Sequence, residues 1–154
     1  MTVAPLRIHV NVGSYDEAPE ALIAEAVLHT VGGEGRAEGE ISVTLLGDDG
    51  IREMNREYLG KDMPTDVISF SLGEGDALLG DVYIGMDQAE RQAQELDVSF
   101  PEEVVRLAIH GALHVLGHDH PEGPEREASP MYALQEAYLA QVLPTSDAAA
   151  GDGA

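Results

Sequence analysis

Four of the six histidines of this chain lie in one short stretch, HGALHVLGHDH (110–120). His110 and His114 are four residues apart, so on a helix both rings project from the same face and can reach one ion. Gly117 can end that helix in a left-handed conformation, which lets His120 return as a third ligand. Three neutral imidazoles leave a fourth coordination position open to water, as in catalytic zinc sites. The spacing therefore predicts one Zn²⁺ bound by these three histidines, with His118 exposed or supporting them from outside.

The residue after the first histidine separates two kinds of hydrolase. The stretch matches the metzincin protease signature His-Glu-x-x-His-x-x-Gly-x-x-His, except that Gly111 stands in place of the glutamate. That glutamate passes a proton from the zinc-bound water to the leaving amine, so its absence disfavours peptide hydrolysis. In phosphodiester hydrolysis, the metal and nearby cations can instead stabilise the negative charge on the phosphoryl oxygens and the leaving alkoxide. The pattern favours phosphoester hydrolysis and leaves a metalloprotease as the weaker alternative.

The overall charge bears on the substrate. The chain has 29 acidic and 8 basic residues, a formal net charge of −21. Such a surface repels a phosphate backbone, which either reflects an adaptation for solubility or high salt or argues against RNA binding. Three of the basic residues, Arg52, Arg56 and Lys61, fall within ten positions of one another and form a predicted RNA-binding cluster.

Cysteine is absent. Imidazole and oxygen are therefore the available metal ligands, and a reducing cytoplasm is the expected compartment. The sequence shows neither an apolar run long enough to span a membrane nor an export signal at its N-terminus.

The histidine stretch ends a helix with a clear start signal. Ser99 and Glu102 have the form of a capping box, and the helix is apolar nearly all round, so we expect it to be buried. An earlier helix is predicted between a cap at Asp48 or Asp49 and Gly60, with Ile51, Met54 and Tyr58 on its apolar face. The other predicted elements are strands at 6–12, 40–47, 66–72 and 78–85, and helices at 19–31, 87–97 and 129–143.

This order of elements indicates the fold class. We expect a single small α+β domain over residues 1–144, with a sheet of about four strands packed against helices and a metzincin-like zinc helix. The strand order does not follow from the pattern. Residues 145–154 are too polar and small to bury much surface and are predicted to be disordered.

Three motifs together resemble those of the YbeY family. HGALHVLGHDH (110–120) is similar to its histidine motif, MNREYLGKDMPTDVISF (54–70) to its second signature, and LLGDVYI (78–84) to its third. The resemblance covers about residues 40–140. It implies a single-strand-specific, metal-dependent endoribonuclease that acts in 16S rRNA 3′-end maturation and ribosome quality control. It also implies His110, His114 and His120 as ligands, and rRNA and the small ribosomal subunit or its assembly proteins as partners. Neither a membrane nor DNA is expected.

The chain departs from this family pattern at two positions. Leu59 stands where the family commonly has an arginine of substrate binding or catalysis. Either Arg56, one helical turn earlier, covers that role, or this member handles RNA differently. His118 replaces a tyrosine. The catalytic base is not identified, and the candidate catalytic residues are Arg56, Asp66 and Asp119. Asp66 either orients a zinc-bound ring or caps a strand. A non-catalytic, zinc-stabilised ribosome-assembly factor is the alternative function.

Overall fold

The computed structural model describes residues 5–72, 77–121 and 123–143. Its elements are β1 (Leu6–Asn11), α1 (Glu20–Gly33), β2 (Gly39–Leu46), α2 (Asp48–Leu59), β3 (Val67–Ser71), β4 (Leu78–Gly85), α3 (Met86–Leu96), α4 (Phe100–Val115), a 3₁₀ helix (Gly123–Ala128) and α5 (Pro130–Val142). Each predicted element is confirmed, with boundaries that agree to within about two residues. The predicted disordered tail, 145–154, lies outside the described residues.

The strands form one mixed sheet in the order β1-β2-β4-β3. β1 pairs with β2 and β2 with β4 in parallel, whereas β3 and β4 are antiparallel. The antiparallel pair follows from the short connection between β3 and β4, and the parallel pairs require the helical crossovers between their strands. The predicted α+β class with a four-stranded sheet is confirmed.

Helix α4 occupies the centre of the domain. It packs against β3 and β4 on one side and against α1, α3 and α5 on the others. Ser99 accepts the Glu102 N–H (3.1 Å), which confirms the predicted cap. Eleven of its residues are buried, among them Ile109 and Leu113 with no exposed surface. The helix that carries two of the predicted ligands is therefore held on all sides. No helix in the described ranges has the length and apolarity to cross a membrane.

Two details of α2 differ from the sequence prediction. Its N-cap is Gly47 rather than an aspartate, and the Asp48 N–H is instead satisfied by the carboxylate of Asp87 in α3 (2.8 Å). Tyr58, predicted on the buried face, is 59% exposed. The buried polar residue of this helix is Asn55, whose side-chain amide donates to the carbonyl of Met63 (2.9 Å). That bond fixes the loop between α2 and β3, which borders the histidines.

Candidate metal centre

The end of α4 brings the three predicted histidines together. His110 and His114 lie one turn apart, and the helix closes at Gly117, whose φ of +105° is one that side chains with a Cβ rarely adopt. The N–H of His118 donates back to a carbonyl of the last turn (3.0 Å), which completes a Schellman-type cap. The chain then returns His120 to the same place. The three ligand atoms lie within 4.8 Å of one another and could hold a metal ion.

Each of the three rings is oriented by an acceptor outside the group. The Nδ1–H of each ring donates to one oxygen: His110 to Gln135 Oε1 (2.6 Å), His114 to the carbonyl of His118 (3.0 Å) and His120 to the carbonyl of Pro121 (3.0 Å). A carbonyl oxygen can only accept, so these contacts place the hydrogen on Nδ1. Gln135 is itself oriented because its Nε2 donates to Glu136 (3.0 Å). Outer contacts of this kind are what fix metal-bound histidines.

The remaining ring nitrogens present lone pairs to one another. Nε2 of His110 and Nε2 of His114 are 3.1 Å apart, and in this tautomer neither carries a hydrogen. Two such atoms cannot hydrogen-bond and repel each other unless a cation lies between them. Two imidazoles at about 2.0–2.1 Å from one zinc ion have a nitrogen–nitrogen separation of this order. The donor set therefore fits a metal ion.

Burial keeps these rings neutral. It lowers the pKa of His110 to about 4, and the bond to Gln135 opposes this only in part. Burial, followed by the charge of His120, also lowers the pKa of His114. Because a ligand must be unprotonated to bind a metal, the two helical rings are ready for an ion at neutral pH.

A second contact, from the side of α1, holds the ligand loop, which is the segment 117–121 after α4 that carries His118 and His120. Glu34, just beyond α1, accepts the Tyr138 hydroxyl from α5 (2.6 Å) and pairs with Nε2 of His118 (2.7 Å). These bonds, the tyrosine's first, lower the pKa of the Glu34 carboxyl. His118 therefore contacts the site from outside the three histidines: its carbonyl accepts from His114 and its ring pairs with Glu34 beyond α1.

We expect Tyr138→Phe to lower the free energy of unfolding by about 1–2 kcal/mol at neutral pH, because it removes a hydrogen bond to a carboxylate. Since the bond lowers the folded-state pKa of Glu34, its contribution is present above the unfolded-state pKa and is lost as the pH falls through the folded-state value. The gap between wild type and variant should shrink in acid, as measured by urea unfolding across the pH range. Tyr58→Phe, which removes an exposed hydroxyl, is the control; a gap that stays constant with pH would contradict the assignment.

The histidines open onto a pocket of about 430 Å³. Its other walls come from the α2–β3 loop, the start of β3 and the 3₁₀ helix. The charged residues that line it are two cations, Lys61 and Arg126, and two carboxylates, Asp66 and Asp119. The pocket is thus formally neutral before an ion is bound, on a chain with a net charge of −21. The unfavourable overall charge does not extend into the site.

The three predicted RNA-binding residues are divided between two places. Lys61 lines the histidine pocket, whereas Arg52 and Arg56 line a neighbouring surface cavity of about 370 Å³. There Arg52 pairs with Asp62 (2.8 Å) and Arg56 with Glu53 (2.5 Å). Leu59, where the resemblance implies an arginine, does line the histidine pocket. Arg56 does not stand in for that arginine at the pocket wall.

The two candidate carboxylates both line the pocket but differ in their surroundings. Asp119 is exposed, and its Oδ1 accepts the N–H of His120 (2.9 Å), so it shapes the ligand loop. Asp66 is half-buried, and the only side-chain bond described for it is a long one from Thr65 (3.4 Å). The outward nitrogens of all three rings have other acceptors, so Asp66 orients none of them. Its carboxylate faces a pocket that it shares with His110.

Gly111, the residue that replaces the protease glutamate, packs directly against the sheet. A Cβ built on it would lie 2.5 Å from Val82 Cγ1 and 3.0 Å from the Ser69 hydroxyl, which donates to the Gly111 carbonyl (3.1 Å). Real Cβ atoms essentially never approach that closely. In this packing a side chain at 111 would point into β4 rather than into the pocket.

Two residues of the site were missed by the sequence reasoning. Gln135 has a weak signal, since it is a polar residue within the largely apolar segment of α5 and is buried. Arg126 follows His120 by six residues and has no spacing signal at all. It nevertheless lies close enough to His110 and His114 for its charge to lower the pKa of both.

The fold and this site define a small α+β protein in which three histidines at the end of the central helix form a group that could hold a metal ion. The family model for endoribonuclease YbeY matches residues 10–143. Two curated relatives are the endoribonuclease YbeY of Geobacter sulfurreducens (44% identical, covering 77% of this chain and 81% of the relative) and that of Aquifex aeolicus (54% identical, covering 57% and 61%). A Thermotoga maritima protein solved in solution matches with a TM-score of 0.63 at 30% identity, over 96% of this chain and 93% of that one. The chain belongs to the endoribonuclease YbeY family and is a hydrolase that acts on RNA.

Proposed function

We propose that this protein is a zinc-dependent, single-strand-specific endoribonuclease that acts in the cytoplasm in 16S rRNA 3′-end maturation and ribosome quality control. Its ligands would be His110, His114 and His120, and its partners rRNA and the small ribosomal subunit or its assembly proteins. The observation that carries the proposal is the convergence of unprotonated Nε2 atoms (3.1 Å between His110 and His114) at the wall of an open pocket. Membership of the endoribonuclease family supports the reaction type.

Three imidazole ligands with an open fourth position suit a catalytic zinc ion, and because the chain lacks cysteine its available metal ligands are imidazole and oxygen. A zinc ion bound there would act as a Lewis acid towards the attacking oxygen and the phosphoryl group. Lys61 lines the pocket and offsets the charge of the scissile phosphate. Arg52 and Arg56 contact the RNA strand further from the histidines. Their charges are partly neutralised by ion pairs with Asp62 and Glu53.

In this proposal Asp66 is the general base, because it is half-buried beside His110 and, among the residues that the structure describes, has a single long side-chain bond, from Thr65. It removes a proton from the attacking water or 2′-hydroxyl. We expect Asp66→Asn to slow cleavage by about 10²-fold or more while zinc content stays at the wild-type level. Asp119→Asn is the matched comparison, measured on the same single-stranded substrate. If Asp119→Asn has the larger effect on cleavage at unchanged zinc content, Asp119 is the base instead.

The function is tested with purified protein stripped of metal and then reloaded with zinc. We expect cleavage of a single-stranded rRNA fragment with an unprocessed 3′ end, only in the zinc-loaded state, and no cleavage of the same sequence in a duplex. A zinc-replete protein that binds small subunits but never cuts the fragment would instead be the non-catalytic assembly factor, which Leu59 at the pocket wall and the acidic surface favour. Hydrolysis of a casein-type substrate that is lost with chelator would indicate the metalloprotease.

A further inference from the structure

A second cavity, of about 240 Å³, adjoins the histidine pocket. The two share Asp66, His110 and Arg126 as lining residues, so they meet at the wall formed by the first ligand. The second cavity lies between the C-terminal end of α3, the middle of α4, the 3₁₀ helix and the start of α5. It is smaller than the roughly 300–1,000 Å³ of pockets for drug-sized ligands, which suits a single flat ring system.

Several polar residues that line this cavity already form hydrogen bonds and ion pairs within the protein. Arg106 is bound by three glutamates, of which the buried Glu103 also accepts an amide hydrogen of Gln92 (2.9 Å). The Oε1 of Gln135 accepts a hydrogen bond from His110, and its Nε2 donates one to Glu136. These groups give the cavity a rigid shape, and the charge of Arg106 is not available to a phosphate.

Arg126 differs from Arg106 in this respect. It stands at the junction of the two cavities, half-buried on the 3₁₀ helix. Among the residues that the structure describes, no carboxylate lies within ion-pair distance of it, whereas Arg52, Arg56, Arg91 and Arg106 are all paired. A guanidinium in this position is suited to a phosphate that passes from one cavity to the other.

The walls of the second cavity combine apolar and acceptor groups. Leu96, Leu107 and Tyr132 offer surfaces for the face of a ring, and Tyr132 can stack on it. Two lining carboxylates other than the proposed base Asp66, those of Glu95 and Glu127, have no ion-pair partner among the described residues. Carboxylates accept hydrogen bonds, so they favour a base edge with an exocyclic amino group, as in adenine, cytosine or guanine, over the edge of uracil, which has two carbonyls and a single N–H donor.

We propose that this second cavity is a subsite for one unpaired nucleotide next to the cleaved bond, with Arg126 binding its phosphate and the cavity preferring adenine or cytosine to uracil. The inference rests on the proposed endoribonuclease function, since it places the neighbouring phosphodiester at the histidines. It makes Arg126 a substrate-binding residue.

Nucleotide titrations followed by NMR test this subsite without any cleavage. We expect 5′-AMP and 5′-CMP, added to zinc-loaded protein, to shift the side-chain signals of Gln92, Leu96 and Arg126, with dissociation constants about three- to tenfold below that of 5′-UMP. Arg126→Gln should weaken all three nucleotides about fivefold or more, and Arg126→Lys should restore part of the loss. Arg7→Gln, the same charge change on an exposed residue of the far edge strand β1, is the control.

Several results would overturn the proposal. They are the absence of shifts at Gln92 and Leu96 up to about 10 mM nucleotide, the same shifts with inorganic phosphate alone, equal affinity for UMP and AMP, or an Arg126→Gln loss no greater than that of Arg7→Gln. The readout is independent of the reaction. A protein that binds AMP in this way but never cuts RNA keeps the subsite and loses the proposed function, and one that cuts RNA without these shifts does the reverse.

Discussion

Replacing His114 by alanine is expected to remove both the bound zinc and the cleavage of single-stranded RNA. The substitution deletes the Nε2 atom that lies 3.1 Å from Nε2 of His110, and it leaves two ligands in place of three. We expect cleavage to fall by about 10³-fold or more, which corresponds to about 4 kcal/mol of transition-state stabilisation. Zinc content by elemental analysis and the rate of RNA cleavage are the two measurements.

The matched control for this substitution is His9→Ala. His9 lies on β1 at the far edge of the sheet and pairs with Glu40 (2.6 Å), so its loss leaves the centre intact. Because zinc bound to the folded state raises its stability, chelator should lower the melting temperature of wild type and of His9→Ala, but not that of His114→Ala. A His114→Ala protein that kept one equivalent of zinc and its ribonuclease activity would refute the metal assignment.

Introducing the protease glutamate, by Gly111→Glu, is expected to unfold the protein rather than to create a peptidase. The Cβ alone would lie 2.5 Å from Val82 Cγ1, and the carboxylate would follow it against an apolar strand. Overpacking costs about 1–3 kcal/mol and an unpaired buried charge several more, which together approach the whole stability of a typical domain. Urea unfolding followed by circular dichroism measures the loss.

Gly32→Glu is the control for that experiment, because Gly32 is also helical and a Cβ there meets nothing within 4 Å. It should fold normally. Gly111→Ala is the graded variant: its overpacking cost of about 1–3 kcal/mol is partly offset by about 1 kcal/mol of helix propensity. A folded Gly111→Glu protein with the wild-type unfolding midpoint would mean that the glycine is not required by packing against β4.

The histidine site could be predicted from sequence because its geometry is local. The spacing of His110 and His114 on one helix, and the turn at Gly117 that returns His120, are consequences of backbone geometry within eleven residues. The helix itself was predictable from its cap at Ser99 and its apolar character. The same holds for the α+β class, since periodicity and turn signals report on each element separately.

Other parts of the site depend on contacts between distant segments, and the sequence does not contain them in readable form. Arg52, Arg56 and Lys61 are close in sequence, yet the turn after α2 sends only Lys61 into the histidine pocket. Tyr58 is predicted on the buried face of α2 but is exposed: it lies in the last turn of the helix, beyond the buried Ile51 and Asn55.

The sequence by itself determined which side chains could share a metal ion and what order of elements would carry them, because both follow from spacings along a continuous backbone. Only the tertiary structure decided the strand order, the outward partner Gln135 that sets the tautomer of His110, and the position of Arg126 between two cavities. It also supplied the reason for Gly111, which is the close approach of α4 to β4. These features are set by how helices pack on the sheet, and packing is decided by the shape of the whole core rather than by any one segment.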